Sequence, residues 1–267
     1  AQLMGYGVLD FRRRRASGAF SPLRLFASGE EGAWYDPSDL STLFQDSAGT
    51  TPVTTAGQPV GRMLDKSGRG NHATQATSAA RPTYQTGAGL HYLAFDGVDD
   101  FMATGTITPN VDKLQAFAGV RKLSDAATGF IAQTSDSSFS NDGAFGFFAP
   151  SGASATYGFR SRGTSQSTIT SPTTFAAPIT NVVSAISDIA ADNLILRVDS
   201  VQAEISTASQ GTGNYLPYTV QIGARATGVF PLNGNLYGLI IRFGANLTDA
   251  QITSTETYLA TRTGVTL

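Results

Sequence analysis

The sequence predicts an all-β protein built as an antiparallel sandwich of two sheets, and three observations favour that fold class. Among 267 residues there are 29 glycines and 11 prolines, and only 14% of the residues are charged, which is typical of a turn-rich β protein. Short β-type runs recur with turn signals between them and without long intervening helices, which favours antiparallel pairing over βαβ units. There is no cysteine, but a chain of this length buries roughly 70–75% of its unfolded surface, so a large core can form without disulfides.

Residues 1–27 are predicted to form an extended arm outside the sandwich. They keep no helical or strand period and scatter apolar residues among glycines, so they cannot build a core of their own. The segment that we expect to dock on other proteins combines one aromatic residue with consecutive cations: Phe11, Arg12, Arg13, Arg14 and Arg15. One alternative is that the arginines form a solvated strip along the parent domain. Nucleic-acid binding is not expected, because the rest of the chain lacks aromatic stacking platforms and a broad basic face.

The remaining residues, 28–267, are predicted to form one domain, since no internal repeat, heptad pattern or low-complexity linker divides them. A short helical turn is expected after Asp36, with Pro37 at its first position, and it runs through Leu40, Leu43 and Phe44. The predicted strands share β-type composition and flanking turn residues, and they cover 60–64, 81–84, 92–95, 114–121, 129–134, 143–148, 156–160, 181–187, 193–198, 201–205, 219–222 and 234–243. Because 237–241 is continuously apolar, the last of them is expected to be a central strand covered on both sides.

Two stretches are predicted to be β-hairpins. In the first, strand 92–95 leads through an Asp-Gly turn to Phe101 and Met102, and Gly97 supplies the positive φ that a tight turn demands. We therefore expect the strands on either side of Gly97 to pair with each other. In the second, residues 199–200 form a two-residue turn between two alternating runs.

One helix is predicted, near the C-terminal end of the sequence. Thr248 and Gln251 have the spacing of a capping box, and Leu247 is placed to pack against Ile252. Gly264 is a natural left-handed stop. We expect this short helix to close one end of the sandwich.

Several motifs occur in an order that resembles the concanavalin A-like lectin/glucanase domains, the laminin G-like jelly rolls. They are WYD at 34–36, DKSGRGNHATQ at 65–75, FDGVDDFM at 95–102, LILRVDSVQ at 194–202, the strand at 234–243 and YLATRTGV at 258–265. Within that family, GAWYDPSDLSTLFQDSAGTTPV followed by RMLDKSGRGNHATQ is similar to proteins of tailed bacteriophages and prophages. The resemblance implies a two-sheet jelly roll used for display or recognition, commonly of glycans.

The chain is expected not to be an enzyme. In the glucanase members of the family, catalysis needs paired carboxylates in an E-x-D-x-x-E-like run, whereas the glutamates here are Glu30, Glu31, Glu204 and Glu256, none of them so spaced. Nucleophile-elbow, Walker and dinucleotide motifs are missing from the sequence. His72 and His91 have no third ligand or HExxH context that would indicate a metal or general-base site.

Two loops are rich in hard oxygen ligands. Asp96, Asp99 and Asp100 lie in one loop, and Asp136, Asn141 and Asp142 in another. The resemblance implies that calcium could be held here, as several laminin G-like domains do, and the first loop is our candidate. The alternative is that these residues bond their own backbone in turns. No other cofactor is expected.

Aromatic and arginine side chains of the middle third are the candidates for contacting sugar. Phe145 and Phe147 alternate, as do Tyr157 and Phe159, and such pairs belong on one sheet face, which favours the core. The residues that we nevertheless expect to be exposed glycan ligands are Tyr157, Arg160 and Arg162.

These observations combine into one functional hypothesis. We expect a non-enzymatic surface protein of a phage or phage-like particle, of spike, fibre or decoration type, in which residues 1–27 bind other virion proteins and the jelly roll binds host-surface polysaccharide. Weak sites in a homo-oligomer would gain by avidity. No apolar stretch suits membrane insertion or a signal peptide, so synthesis in the host cytoplasm is expected. The alternatives are a purely structural decoration or joining protein and, with less support, a polysaccharide-degrading enzyme.

Overall fold

The computed structural model describes residues 19–134 and 140–267. Within them lie 17 strands and one α-helix, and neighbouring strands pair antiparallel, which confirms the predicted fold class. The docking segment Phe11–Arg15 lies outside the described residues. The end of the predicted arm is described, and there the expectation of an extended arm outside the sandwich is wrong: Pro22–Phe26 form a 3₁₀ turn, and Leu25 and Phe26 are buried in one apolar cluster with Trp34 and Ile240. No described helix is long and apolar enough to cross a membrane.

The strands, numbered in chain order, are two to eleven residues long. They are β1 (Glu31–Tyr35), β2 (Leu43–Phe44), β3 (Arg62–Met63), β4 (Ala73–Thr74), β5 (Thr83–Gly87), β6 (Leu90–Asp96), β7 (Met102–Ile107), β8 (Lys113–Lys122), β9 (Phe130–Thr134), β10 (Phe145–Phe148), β11 (Gly158–Arg162), β12 (Gln166–Thr170), β13 (Ile179–Asp188), β14 (Asn193–Val198), β15 (Val201–Ser206), β16 (Tyr218–Ile222) and β17 (Asn233–Phe243). Short 3₁₀ turns occupy Pro22–Phe26, Leu40–Thr42, Ser78–Ala80 and Ala226–Gly228. The helical turn predicted from Pro37 through Phe44 is present only at Leu40–Thr42, and Leu43–Phe44 form β2 instead.

The strands form two stacked sheets. The eight-stranded sheet has the order β15-β14-β13-β8-β17-β6-β5, with β1 paired to β17. We call it the covered sheet. The nine-stranded sheet has the order β12-β11-β10-β9-β16-β7-β4-β3-β2, and we call it the open sheet. Apolar side chains from both inner faces fill the space between them, among them Phe145, Phe147 and Phe159 opposite Leu239 and Ile241.

The α-helix, α1 (Asp249–Thr263), has the predicted capping box at Thr248 and Gln251 and ends at left-handed Gly264. It lies on the outer face of the covered sheet, against β8, β13 and β17, and not at an end of the sandwich as expected. The helix can lie there because the strands carry glycine beneath it. A Cβ atom at Gly119 would be only 2.6 Å from the Thr263 side chain, and a Cβ atom at Gly238 only 2.9 Å from the Leu259 side chain. Two glycines thus allow the helix to approach the strands closely.

Strand β17 confirms the predicted central strand. It pairs along one edge with β8 and along the other with β6 and β1. Leu239 and Ile241 face the inter-sheet core, whereas Ile240 belongs to a second apolar cluster with Leu259 of α1. Both faces of the strand are therefore buried.

The predicted hairpin around Gly97 is wrong, because β6 and β7 belong to different sheets. β6 pairs with β5 and β17, and β7 pairs with β16 and β4. Residues 97–101 form an arch that carries the chain from the covered to the open sheet, so that Phe95 and Met102 enter the core from opposite layers. The second hairpin is confirmed: Val198 pairs with Val201, and Asp199 and Ser200 have φ of 49° and 64°, as a type I′ turn requires.

Candidate functional site

The outer face of the open sheet carries a row of polar and small residues. Strand register aligns it across the sheet as Thr168, Arg160, Gly146, Gln133, Gln221, Ala103, Thr74 and Arg62. Because side chains alternate along a strand, the apolar neighbours of these residues enter the core. The α-helix packs on the other sheet. Most residues of this row are partly or fully exposed, whereas Gln133 and Gly146 in its middle are buried.

A cleft of about 350 Å³ opens at one end of this face. It forms where the start of β9, the end of β10 and the middle of β11 meet two loops, 149–152 and 223–231. Its lining combines aromatic rings, arginines and small polar residues: Thr128, Phe130, Phe148, Ser151, Gly152, Arg160, Arg225 and Phe230. None of these residues is acidic.

Three phenylalanine rings form a continuous row in the cleft. The ring of Phe130 lies 4.5 Å from that of Phe148 and 6.3 Å from that of Phe230, between centroids. An arginine covers each end: the guanidinium of Arg160 is 5.3 Å from the centroid of Phe148, and that of Arg225 is 5.1 Å from Phe230. Phe130 and Phe148 are buried, whereas Phe230 is 41% exposed. One aromatic ring is thus available to a ligand.

A tight turn holds Arg225 and Phe230 in place. The backbone N–H of Arg225 donates to Val229 O at 2.8 Å, and that of Val229 donates to Arg225 O at 3.1 Å. Gly228 has a positive φ of 84°, a conformation that a glycine adopts without strain. The turn thereby brings Arg225 close enough to Arg160 that burial and the charge of Arg225 together lower the pKa of Arg160.

Of the predicted glycan ligands, the structure brings only Arg160 into this cleft. Tyr157 was expected to be exposed, and this is wrong: it is fully buried, its hydroxyl donates to Asn181 Oδ1 at 2.9 Å, and Lys122 lies 4.9 Å from its ring. The alternation with Phe159 that favours the core therefore decides its position, and burial raises its pKa. Arg162 is partly exposed and pairs with Asp142 at 3.1 Å. The binding roles of Arg160 and Arg162 stay predictions.

The candidate calcium ligands lie together on the arch. Asp96, Asp99 and Asp100 each bring a carboxylate oxygen within 4.8 Å of the others. They also bond the arch itself, as the alternative holds: Asp96 Oδ1 accepts from Val98 N at 2.8 Å, and Asp100 Oδ2 accepts from Asp96 N at 3.0 Å. Burial and the neighbouring carboxylates raise the pKa of Asp100 to about 6. A cluster of oxygen donors under mutual repulsion fits a divalent cation. Asp136 of the second loop is outside the described residues.

The other titratable residues singled out in the sequence have structural partners. His72 Nδ1 accepts from Asp65 N at 3.0 Å, and His91 Nδ1 bonds the Tyr84 hydroxyl at 2.7 Å. Two of the glutamates form ion pairs on the covered sheet, Glu30 with Arg242 and Glu256 with Arg197.

Sequence reasoning missed most of the cleft, namely Phe130, Phe148, Arg225 and Phe230. Phe130 and Phe148 look like core residues of strands, because only the registers of β9 and β10 show that they face outward. A signal did exist for the other two: in GARATGVFP, residues 223–231, an arginine and a phenylalanine stand in a glycine-rich turn without apolar periodicity. An aromatic residue in such a loop has no core to join.

No family model and no curated protein matches this chain. Among solved structures, it is similar to botulinum neurotoxin type C, for which interaction with two ganglioside molecules is described, at 10% identity and a TM-score of 0.55, covering 90% of this chain and 53% of that one. It is also similar to the binding domain of botulinum neurotoxin DC in complex with SialylT, at 13% identity and a TM-score of 0.53, covering 74% and 48%. The CBM40 of the Ruminococcus gnavus IT-sialidase, bound to alpha2,3 sialyllactose, has 13% identity and a TM-score of 0.44, covering 55% and 83%.

These likenesses concern the fold. The chain spans about half the length of the two neurotoxin chains. The neurotoxin matches, together with two stacked antiparallel sheets and one helix after the last strand, identify the protein as a two-sheet jelly-roll sandwich.

Proposed function

We propose that this protein is a non-enzymatic, carbohydrate-binding surface component of a phage or phage-like particle. The part of the predicted arm that precedes Pro22 attaches it to other virion proteins, and the jelly roll faces host-surface polysaccharide. One observation carries the binding part of the proposal: the open sheet presents a polar outer face that ends in a cleft with an exposed phenylalanine and two arginines. Solved domains of the same fold are described with gangliosides and with SialylT. The virion part is supported by the sequence resemblance.

The arrangement suits sugar recognition without catalysis. The exposed ring of Phe230 can stack on the apolar face of a pyranose, while arginine and hydroxyl groups at the rim bond its hydroxyls. Among the described residues that line the cleft, none carries a carboxylate that could act as acid or nucleophile. A shallow site of this kind binds weakly on its own, so several copies on one particle would raise the avidity.

The proposal is tested by measuring binding of the full chain to purified bacterial surface polysaccharides and to a glycan array. We expect at least one polysaccharide to be retained, and Phe230→Ala to weaken its binding roughly tenfold, the scale of one lost stacking contact. Val201→Ala is the matched control, because Val201 is an exposed apolar residue, 68% accessible, on the edge of the covered sheet.

Two outcomes would contradict the proposal. If no glycan binds while the chain still assembles into particles, the protein is a structural decoration or joining protein. If reducing ends are released from the polysaccharide, it is an enzyme.

A further inference from the structure

We infer that the cleft between β11 and the 223–231 loop selects a sugar that carries a carboxylate, which Arg160 and Arg225 bind while Phe230 stacks on the sugar ring. The inference rests on the proposed glycan-binding function and names the class of glycan. It is carried by the charge of the cleft, by the way in which its arginines are held, and by the placement of its aromatic ring.

Of the eight described residues that line the cleft, two are arginines and none is acidic. One of these arginines, Arg160, also donates from Nε to Thr168 Oγ1 at 3.2 Å. Arg160 and Arg225 interact unfavourably with each other, which is one cause of the lowered pKa of Arg160. A carboxylate between the two guanidinium groups would relieve this repulsion, and it could accept hydrogen bonds from the terminal nitrogens of Arg225.

The side chain of Arg225 is held in the cleft without being neutralised. Its guanidinium lies over the ring of Phe230, and no described carboxylate forms an ion pair with it. Its Nε has no hydrogen-bond partner among the described residues. Arginines elsewhere in the fold, such as Arg197 and Arg242, have paired carboxylates. Stacking therefore orients the charge of Arg225 and leaves its terminal nitrogens for a ligand.

The aromatic ring indicates a sugar instead of a bare anion. Phe230 is 41% exposed and has a φ of 56°, a left-handed conformation that costs a bulky residue free energy. The Arg225–Val229 turn maintains this conformation and so presents the ring beside the guanidinium. Inorganic phosphate would need no such ring. The hydroxyls of Thr128 and Ser151 line the same cleft, and its volume lies at the small end of the range for ligand pockets, about 300–1,000 Å³.

The test compares saccharides that differ only in charge. The full chain is titrated calorimetrically with an oligogalacturonate and its methyl ester, and with sialyllactose and lactose. We expect at least one acidic member to bind roughly tenfold or more tightly than its neutral partner, because a hydrogen-bonded charge contributes about that much. Added salt should narrow the difference.

Variants assign the effect to the cleft. Arg160→Gln and Arg225→Gln should each weaken binding of the acid roughly tenfold or more, and should weaken binding of the neutral partner by a smaller factor, so that the preference for the acid falls. Arg225→Lys, which keeps the charge but loses the fork, should fall between wild type and Arg225→Gln. Arg69→Gln is the control, since it makes the same change of charge at an exposed position outside the cleft. Urea unfolding of each variant confirms that it is folded.

The outcomes separate this inference from the proposed function. Equal affinity for acid and neutral partner overturns the inference while glycan binding stands. If the acid still binds both glutamine variants as tightly as it binds the wild type, the inference is also overturned, because the carboxylate would then bind elsewhere. If inorganic phosphate displaces the acid and Phe230→Ala has no effect, the cleft is an anion site and the sugar assignment is wrong. If no saccharide of either kind binds, the proposed function fails together with the inference.

Discussion

The outer face of the covered sheet carries Phe117, Val182 and Ile240 beneath helix α1. The outer face of the open sheet instead carries Arg160, Gly146 and Gln133, which strand register aligns side by side. Both faces belong to antiparallel sheets that share one core. On the covered face the apolar residues need another layer, and the helix supplies it. The open face is polar and is not covered by the helix. Its Arg160, at the cleft, is partly exposed, whereas Gln133 and Gly146 are buried.

Arginine has a different partner on each face. Arg242, on the covered side, is 4% exposed and bonds Glu30, Gln115 and the carbonyl of Leu25. Arg160 and Arg225, in the cleft, stack on phenylalanine rings. Arginine thus joins elements through hydrogen bonds where it is buried among acceptors, whereas at the cleft it also stacks on aromatic rings, with Arg160 Nε donating to Thr168 Oγ1 at 3.2 Å.

The largest effect is expected on the covered side. Arg242→Met should lower the free energy of unfolding by about 3–5 kcal/mol, because it leaves Glu30 and several buried acceptors without their donor. Urea denaturation of the full chain measures the loss. A loss of unfolding free energy under about 1 kcal/mol would contradict this, because it would mean that water solvates these groups and that the network contributes little.

The next effect concerns the uncompensated carboxylates of the arch. Burial and repulsion raise the pKa of Asp100 to about 6 from 3.8, so the folded state binds its proton more tightly than the unfolded state. The protonated carboxyl of Asp100 therefore contributes its full stabilisation of the folded state below pH 3.8, and this contribution is lost as the pH rises through about 6. Asp100→Asn should stabilise the protein by about 1–2 kcal/mol at about pH 8 and by little at about pH 4.

Thermal unfolding at the two pH values checks this prediction, and equal shifts at both would contradict it. Calcium provides a further comparison. If the arch binds the ion, calcium should raise the melting temperature of the wild type at about pH 8 and have less effect on Asp100→Asn.

A smaller effect is expected at the start of the helix that covers the sheet. Thr248→Ala removes the side chain that accepts from Gln251 N and should lower the free energy of unfolding by about 1 kcal/mol. Thr248→Ser should restore most of it. A loss with alanine that serine does not restore would assign the effect to packing of the threonine methyl group.

The smallest effect is expected on the open face. Arg162 and Asp142 form an ion pair with side chains 24% and 49% exposed, so Arg162→Met should change the free energy of unfolding by no more than about 0.5 kcal/mol. Urea denaturation of Arg162→Met and Arg242→Met under the same conditions compares the two losses of unfolding free energy. Similar losses in the two variants would show that the open face also contributes substantially to stability.

Local chemistry predicted some elements well. The capping box at Thr248 and the two-residue turn at Asp199 satisfy their backbone groups within a few residues, so the sequence alone specifies them. The arch at Gly97 was mistaken for a hairpin because both need the same turn residues. What separates them is the partner of each flanking strand, β17 for one and β16 for the other, and these lie far away in the sequence.

The cleft could be predicted only in part for a similar reason. Arg160 alternates with buried neighbours along β11, so its outward direction is readable from the sequence. Arg225 and Phe230 reach the same place through a loop whose path depends on the packing of both sheets. Tyr157 is the opposite case. The sequence predicts an exposed aromatic residue beside a loop, and the structure places it in the core.

The pairing of β17 with β1, β6 and β8 has a consequence for how the chain assembles. Glu31 pairs with Phe243, so the middle of one layer is completed only when segments from opposite ends of the sequence meet. Such non-local topologies fold slowly, and a fragment that lacks β17 leaves β1 without its partner and leaves β6 and β8 with one neighbour each, β5 and β13. A nicked molecule would therefore recover its structure only when both pieces are present, with β17 acting as the common template.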